Sequence, residues 1–216
     1  MVVTTVSRRA TFHETIRDYE QAASDLHRLI LAEKVGLGSS ADTGKGKSKM
    51  SKHPDFWTET EDAVRRAYRT TDTSILDKSV ELGKGGSTAV TAILIDCQKL
   101  VVANVGDSRA VAYKDGVAKQ LSVDHEPSKE RTYIEDRGGF VSNFPGNGQL
   151  AVARAFGDKS LKKHLSSEPD VSLVDEDTEF VILASDGIWK VMTNQEAVEC
   201  IRNIKDAKAA AKHLTC

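Results

Sequence analysis

The sequence lacks the features that would place a protein in a membrane, outside the cell or on a nucleic acid. No apolar run approaches the length that crosses a bilayer, and residues 1–9 lack the apolar segment and cleavage site of a secretory signal. Three cysteines, Cys97, Cys200 and Cys216, are irregularly spaced and form no Cys-x-x-Cys pair. The 30 lysine and arginine residues do not outnumber the 32 aspartate and glutamate residues. These absences predict a soluble, intracellular protein, cytoplasmic or nuclear, that does not bind nucleic acid.

The chain is long enough to bury a core without disulfides, because its 216 residues exceed the size at which small domains need such support. Residues 1–38 are predicted to form an N-terminal region with one amphipathic helix, which begins at the capping box Thr11–Glu14. This helix either packs on the rest of the protein, which we favour, or binds a partner. Residues 39–53 are rich in Ser, Gly and Lys and predict a flexible basic linker. Residues 54–216 are then the main domain.

The main domain alternates helical periodicity with short apolar segments that are typical of strands. One helix is predicted to begin at the Thr58–Glu61 box, and one face of it carries Val64, Ala67, Tyr68, Thr71 and Ile75. Further helices are predicted over 128–137 and in two segments at the end of the chain. Strands are predicted at 88–95, 99–105, 109–114, 117–121, 150–156 and 180–184. The turns at 106–108 and 115–116 predict an antiparallel meander. Because its strands are apolar on both sides, we expect an α+β fold in which a β-sandwich carries helices on both outer faces.

The stretch Phe180–Trp189 places one carboxylate at the mouth of the predicted sheet. A buried apolar strand ends in small residues and is followed directly by Asp186 and Gly187. The alternative is a plain hairpin, since Asp-Gly is a common two-residue turn. Trp189 and the Thr193–Glu196 capping box favour a helix after the strand. We therefore regard Asp186 as a candidate functional residue.

The order of several motifs resembles that of the type 2C family of metal-dependent protein serine/threonine phosphatases, in particular its plant branch. The resemblance covers residues 54–216 and rests on the motifs Gly85–Ala89, Asn104–Ala110, Asp124–Pro127, Arg137–Val141, Leu150–Asp158 and Ala184–Trp189. It implies a central β-sandwich flanked by helices. It also implies a phosphoprotein substrate, or a kinase as partner, and a chain that is monomeric by default.

The resemblance implies hydrolysis of phosphoserine and phosphothreonine by water held between two Mg²⁺ or Mn²⁺ ions. Such hard cations require several oxygen ligands. Asp186 matches one metal ligand of the family, and Asp107 matches the acid of a weaker third site, although it is equally well explained as a turn residue. His125 stands beside two acids and is either a ligand or general acid or, as we favour, a local hydrogen-bonding group.

Two departures from the family pattern concern the metal site itself. The family's Asp-Gly-His-Gly stretch, which supplies a bridging aspartate and a histidine, has no counterpart, and the sequence ends at Cys216 before an Asp-Asp pair. Only Asp158 and Asp124 are plausible replacements. No catalytic residue can therefore be assigned, and we expect hydrolysis to be strongly reduced or absent. The alternatives are a non-catalytic binding or regulatory protein, or a shortened product of a longer chain.

Overall fold

The computed structural model describes residues 2–9, 60–82, 85–95, 99–142, 152–174 and 178–215. The strands are β1 (Val2–Arg9), β2 (Gly86–Ile95), β3 (Lys99–Val105), β4 (Arg109–Lys114), β5 (Val117–Gln120), β6 (Phe156–Gly157), β7 (Asp170–Val174) and β8 (Phe180–Ala184). The helices are α1 (Thr60–Asp77), α2 (Ser79–Leu82), α3 (Arg131–Asp136), α4 (Asp186–Trp189), α5 (Asn194–Ile201) and α6 (Ala207–Leu214).

The strands form two antiparallel sheets. The first has the order β1-β2-β3-β7, with β6 also paired to β2, and the second has the order β5-β4-β8. Every pair of strands is antiparallel. The two sheets pack face to face over Val90 and Val102 from the first and Ala110 and Ala112 from the second.

Helices cover the outer face of each sheet, which completes four layers. On the first sheet, α1 buries the face predicted from its periodicity, and the hydroxyl of Tyr68 donates to Ala103 O at 3.1 Å. On the second sheet, α5 and α6 pack against Val111, Tyr113 and Ile182. These layers confirm the predicted α+β sandwich with helices on both outer faces. Among the described helices, none combines the length and apolar character that spanning a bilayer requires.

The strands β3, β4 and β8 have the predicted bounds, but the predicted meander is wrong. The strands β3 and β4 are consecutive in sequence and lie in different sheets. The segment 106–108 is therefore a corner between sheets rather than a hairpin turn. The two-residue turn at Asp115 and Gly116 does join β4 to β5, and both residues have positive φ angles of 50° and 85°, as a type I′ hairpin requires.

Three segments differ from the sequence expectation. Strand β1 pairs with β2 along its full length and is not predicted from the sequence. Strand β7 was not predicted. Of the strand predicted at 150–156, residues 152–156 are described, and only Phe156 lies in a strand, β6. Ala153 N donates to His125 O and Ala155 N to Ser166 O instead of to one neighbouring strand. The predicted helix after Thr11 and the boundaries at 38 and 53 lie outside the described residues.

Candidate functional site

One edge of the sandwich collects the residues that the sequence singles out. Arg109, the first residue of β4, pairs with Ala184, the last residue of β8. Asp107 precedes β4 by two residues and Asp186 follows β8 by two. Because the two strands are antiparallel, both acidic positions emerge at the same edge of the second sheet. This edge is the candidate functional site.

Asp186 begins helix α4, as the box beyond it suggested, and no hairpin forms at Asp186-Gly187. Its Oδ2 accepts a hydrogen bond from Lys190 Nζ at 2.5 Å, one helical turn further on. The Asp186 side chain is 24% exposed and that of Lys190 is 65% exposed. The carboxylate that matches a metal ligand therefore already has a cationic partner within the chain.

Asp107 lies on a corner that is fixed from several sides. Gly106 has a φ of +101°, and a Cβ at this position would lie 2.2 Å from Thr88 Cγ2. The side-chain amide of Asn104 donates to Gly106 O at 3.0 Å and to Val123 O at 2.8 Å. The hydroxyls of Thr88 and Ser108 are 2.8 Å apart. The corner that carries Asp107 is therefore rigidly built.

His125 holds the same corner through its backbone and its ring. Its N–H donates to Gly106 O at 3.0 Å, and its Nδ1 accepts from Gly106 N–H at 3.0 Å. Since Nδ1 accepts, the ring proton is on Nε2, which lies 2.6 Å from Asp170 Oδ2. The side chain is 1% exposed, and burial lowers the pKa of His125. The structure agrees with a local hydrogen-bonding group rather than a ligand.

Asp124 is committed to an ion pair instead of an open ligand position. Its carboxylate is bidentate to the guanidinium of Arg109, with an Nη2 to Oδ2 distance of 2.5 Å, and both side chains are largely buried. Gln120 donates to Asp124 Oδ1 at 3.1 Å and accepts from Asn194 Nδ2 at 3.3 Å, while Arg109 Nη1 donates to Asn194 Oδ1 at 2.7 Å. These four side chains form a closed ring, the Arg109 ring, that the sequence did not reveal.

The Arg109 ring also contacts the helix that carries Asp186. The guanidinium carbon of Arg109 lies 5.2 Å from the ring centroid of Trp189, and the Trp189 indole donates to Ala184 O at 3.0 Å. The only sequence indication of this arrangement is that Arg109 directly follows the Gly106–Ser108 corner. Arg109 therefore joins the start of β4 to the end of β8 and to α4.

Asp158 lies on the neighbouring sheet at this edge. Its backbone N–H donates to Gly85 O at 2.6 Å, just before β2, and its Oδ1 accepts from Ser160 at 2.9 Å. A Cβ on Gly86 would lie 3.1 Å from Asp158 Cβ. Asp158 is thus close to Gly86, the first residue of β2, which precedes Thr88 and its contact with the corner by two residues.

The side chains of the described residues do not fit a two-metal centre. Among them, no group of three or more histidine, cysteine, aspartate or glutamate side chains could hold a metal ion. Asp186 is paired with Lys190, and Asp124 with Arg109. Divalent cations such as Mg²⁺ need about six oxygen ligands, several of them supplied by the protein when water is to be activated between two ions.

The sequence matches the family model described as "Protein phosphatase 2C" over residues 18–215. The chain belongs to the protein phosphatase 2C family. Phosphatases of this family are metal-dependent, generally with Mg²⁺ or Mn²⁺. The match begins upstream of residue 54, from which the motifs alone indicated the family, and it includes the edge described above.

Plant members of the protein phosphatase 2C family are highly similar to this chain. It is 72% identical over 262 aligned positions to "Probable protein phosphatase 2C 39" of Arabidopsis thaliana, with 88% of this chain and 91% of the relative covered. It is 67% identical over 174 residues to "Probable protein phosphatase 2C 62" of Oryza sativa subsp. japonica, with 76% and 60% covered. The chain thus spans about three fifths of the second relative. The first alignment is longer than the chain itself, so that relative has residues without a counterpart here.

Solved structures show the same fold. A serine-threonine phosphatase 2C from Toxoplasma gondii has a TM-score of 0.75 at 23% identity, over 99% of this chain and 78% of the other. A C. elegans sex determining protein has a TM-score of 0.74 at 26% identity, over 99% and 52%. The protein phosphatase 2C sandwich is therefore retained in this chain.

Proposed function

We propose that this chain is a type 2C serine/threonine phosphatase by family and fold whose hydrolytic activity is strongly reduced by an incomplete metal centre. The observation that carries the proposal is the ligand set at the Asp186 edge. In the described residues no three ligand-type side chains converge, and the full sequence contains no Asp-Gly-His. A relative that aligns over more positions than this chain has residues supports a loss of chain within the domain.

The chemistry that an incomplete metal centre would lack is the activation of water by a pair of divalent ions. When bound, a pair of divalent ions lowers the pKa of a water molecule and neutralises the charge on phosphoryl oxygens. The chain contributes Asp186 to this edge, with Asp107 and Asp158 nearby on separate elements. Because one acid at the end of β8 cannot replace the family's converging carboxylates, we assign no hydrolytic step to these residues.

The partners we propose follow from the family. They are proteins phosphorylated on serine or threonine, or the kinases that modify them, met by a monomer in the cytoplasm or nucleus. The irregular cysteine spacing supports an intracellular location, and Cys200 is an exposed free thiol.

The test is Mn²⁺-dependent hydrolysis of a phosphoserine peptide by the full chain, with "Probable protein phosphatase 2C 39" as the intact comparison. We expect turnover at least about a thousandfold lower than that of the relative, which corresponds to about 4 kcal/mol of lost transition-state stabilisation. Asp186→Ala should then change the residual rate little. Asp136→Ala, an exposed acid at the end of α3, serves as the control. Turnover equal to that of the relative, and abolished by Asp186→Ala alone, would refute the proposal.

A non-catalytic binding protein is a second candidate, favoured by the completeness of the scaffold at the same edge. The backbone of the Gly106 corner is held by His125 and Asn104, and the four side chains of the Arg109 ring are joined by hydrogen bonds, although the metal-ligand set at this edge is incomplete. A phosphoprotein partner that copurifies equally with the wild-type chain and with Asp186→Ala would support this candidate. Loss of the partner in Asp186→Ala would exclude it.

A further inference from the structure

We propose that a basic surface at α6 binds an acidic, extended segment of a phosphoprotein. The surface, which we call the α6 basic surface, consists of Lys208 and Lys212 on α6, together with Arg202 and Lys205, which precede this helix in the chain. The inference rests on the proposed function for the identity of the partner as a phosphoprotein, and it adds a docking site away from the Asp186 edge.

The first observation is the separation of charge. Residues 202–213 contain four lysine and arginine side chains and a single acid, Asp206, in a chain whose formal net charge is −2. The rest of the molecule is therefore more acidic than the whole. A cationic surface on an acidic protein creates a local positive potential that attracts anionic partners to that surface.

The second observation is that these cations are exposed and not used internally. All four side chains are exposed. In the part of the chain described, no ion pair joins them to an acid, whereas Arg109, Arg154 and Lys162 are each paired. The carboxylate of Asp206 caps α6 by accepting from Ala209 N–H at 2.7 Å. The surface is thus open to an external anion.

The third observation is the geometry of α6. Ala210 is buried, and Lys208 and Lys212 lie two residues before and after it. At about 100° per residue, each lysine is directed about 160° away from the buried side, so both lie on the outermost stripe of the helix. Ala209 and Ala211, which flank the two lysines on either side of the helix, are exposed and small. A peptide backbone can therefore approach close to the lysines.

The spacing selects the shape of the ligand. Residues four apart on a helix are separated by about 6 Å along the axis. Alternate residues of an extended chain are about 6.6 Å apart and have their side chains on the same side. An extended segment with acids at every second position therefore matches Lys208 and Lys212, and the preceding Lys205 and Arg202 can extend the contact.

Other anionic partners fit less well. Helices that lie on membranes combine their cations with bulky apolar side chains exposed to the lipid. In α6 the exposed neighbours of the lysines are alanines and His213, and the partly buried Leu214 packs against the core of the second sheet. Nucleic acid binding is favoured by an excess of basic residues over a larger surface, which a chain of net charge −2 lacks.

The test compares two fluorescent phosphoserine peptides that differ only in a flanking stretch, Glu at every second position in one and Gln in the other. Binding to the full chain is measured by anisotropy at about 0.02 M salt, where screening is weak. We expect the acidic peptide to bind about tenfold more tightly, since each exposed ion pair contributes modestly. Lys208→Glu with Lys212→Glu should abolish this preference, and raising the salt to about 0.5 M should do the same in the wild-type chain.

The matched control is Lys78→Glu with Lys99→Glu, two exposed lysines on the side of the first sheet. It makes the same change in net charge and should retain the preference. A milder pair, Lys208→Gln with Lys212→Gln, should weaken it by a smaller factor, and it provides a second reading if charge reversal disturbs the fold seen by circular dichroism.

The outcomes separate this inference from the proposed function. The same pair of peptides without phosphate tests phosphoprotein recognition separately. If the preference for Glu depends on the lysines but not on the phosphate, the basic surface is supported and recognition of phosphoproteins is contradicted. The inference is overturned if the wild-type chain shows no preference, if the preference survives in Lys208→Glu with Lys212→Glu, or if these lysines bind only vesicles containing phosphatidylserine.

Discussion

At Gly106 the backbone adopts a conformation that only glycine takes without strain, in a space that has no room for a side chain. The φ angle of +101° and the 2.2 Å approach to Thr88 both oppose a Cβ. This residue lets the chain leave the first sheet and enter the second within three residues. The position of Asp107 therefore depends on the absence of a Cβ at residue 106.

We expect Gly106→Ala to lower the free energy of unfolding by about 3 kcal/mol or more, because left-handed strain and overpacking both contribute. Gly116→Ala is the control, since Gly116 also has a positive φ of 85° but nothing lies within 4 Å of its added Cβ. It should cost about 1 kcal/mol. Urea denaturation measures both values, and equal losses in the two variants would contradict this account of the corner.

His125 should make the stability of the protein depend on pH. It faces Asp170, Arg154 and Glu130, and burial keeps its pKa below the usual value, so the folded state holds a neutral ring. The unfolded chain binds a proton below about pH 6.5 and the folded chain resists it. The free energy of unfolding should therefore fall as the pH is lowered from about 7.5 to about 5.5.

The measurement is a series of urea titrations over this pH range on the wild-type chain and on His125→Gln. Glutamine can accept the Gly106 N–H but does not titrate, so the variant should show a smaller slope with pH. A slope that is unchanged in His125→Gln would assign the effect to other groups.

At the scale of elements, Arg109 connects β4 to several neighbouring segments. Through the Arg109 ring and Trp189 it links β4 to β5, to α4 and to the first residue of α5. Its guanidinium geometry matches the bidentate carboxylate of Asp124, which a lysine ammonium cannot reproduce.

Arg109→Lys should therefore lower the free energy of unfolding by about 2–3 kcal/mol, because a largely buried Asp124 loses part of its pairing. Trp189 fluorescence should also change, because the guanidinium group no longer lies over the indole. The control is Arg69→Lys, an exposed residue whose Nε lies 3.8 Å from Glu168, for which we expect less than about 0.5 kcal/mol. If Arg109→Lys lowers the free energy of unfolding no more than Arg69→Lys does, the Arg109 ring contributes little to stability.

The elements predicted from sequence succeed where the pattern is local. Strand β8 and the helix that begins at the Thr193 capping box follow from apolar runs and capping residues, and the structure confirms both. Strand β7 was missed because Asp170 and Ser172 interrupt its apolar residues and only pairing with β3 orders it. The segment before Phe156 looked like a strand, but its backbone partners belong to two different loops.

At the scale of the whole molecule, the sandwich was predictable and the state of the site was not. Apolar residues on both sides of the strands require that each sheet be packed on both faces, and three of the buried clusters, one between the sheets and one under the helices on each outer face, meet this requirement. The engagement of Asp124 by Arg109 and of Asp186 by Lys190 depends on distances that residue order does not determine. Lys190 stands four residues after Asp186, and this spacing is the only local indication of that pair.

The arrangement of the second sheet also determines when it can be completed during synthesis. Strands β4 and β5 join across a two-residue turn, a step that takes microseconds once both strands are available. Strand β8 reaches β4 only after the residues between Gln120 and Phe180 have been translated, which at about 5–20 residues per second takes several seconds. During that interval the buried apolar residues of β4 lack the strand that pairs with them on the other side, which makes this hairpin a segment for chaperones to shield.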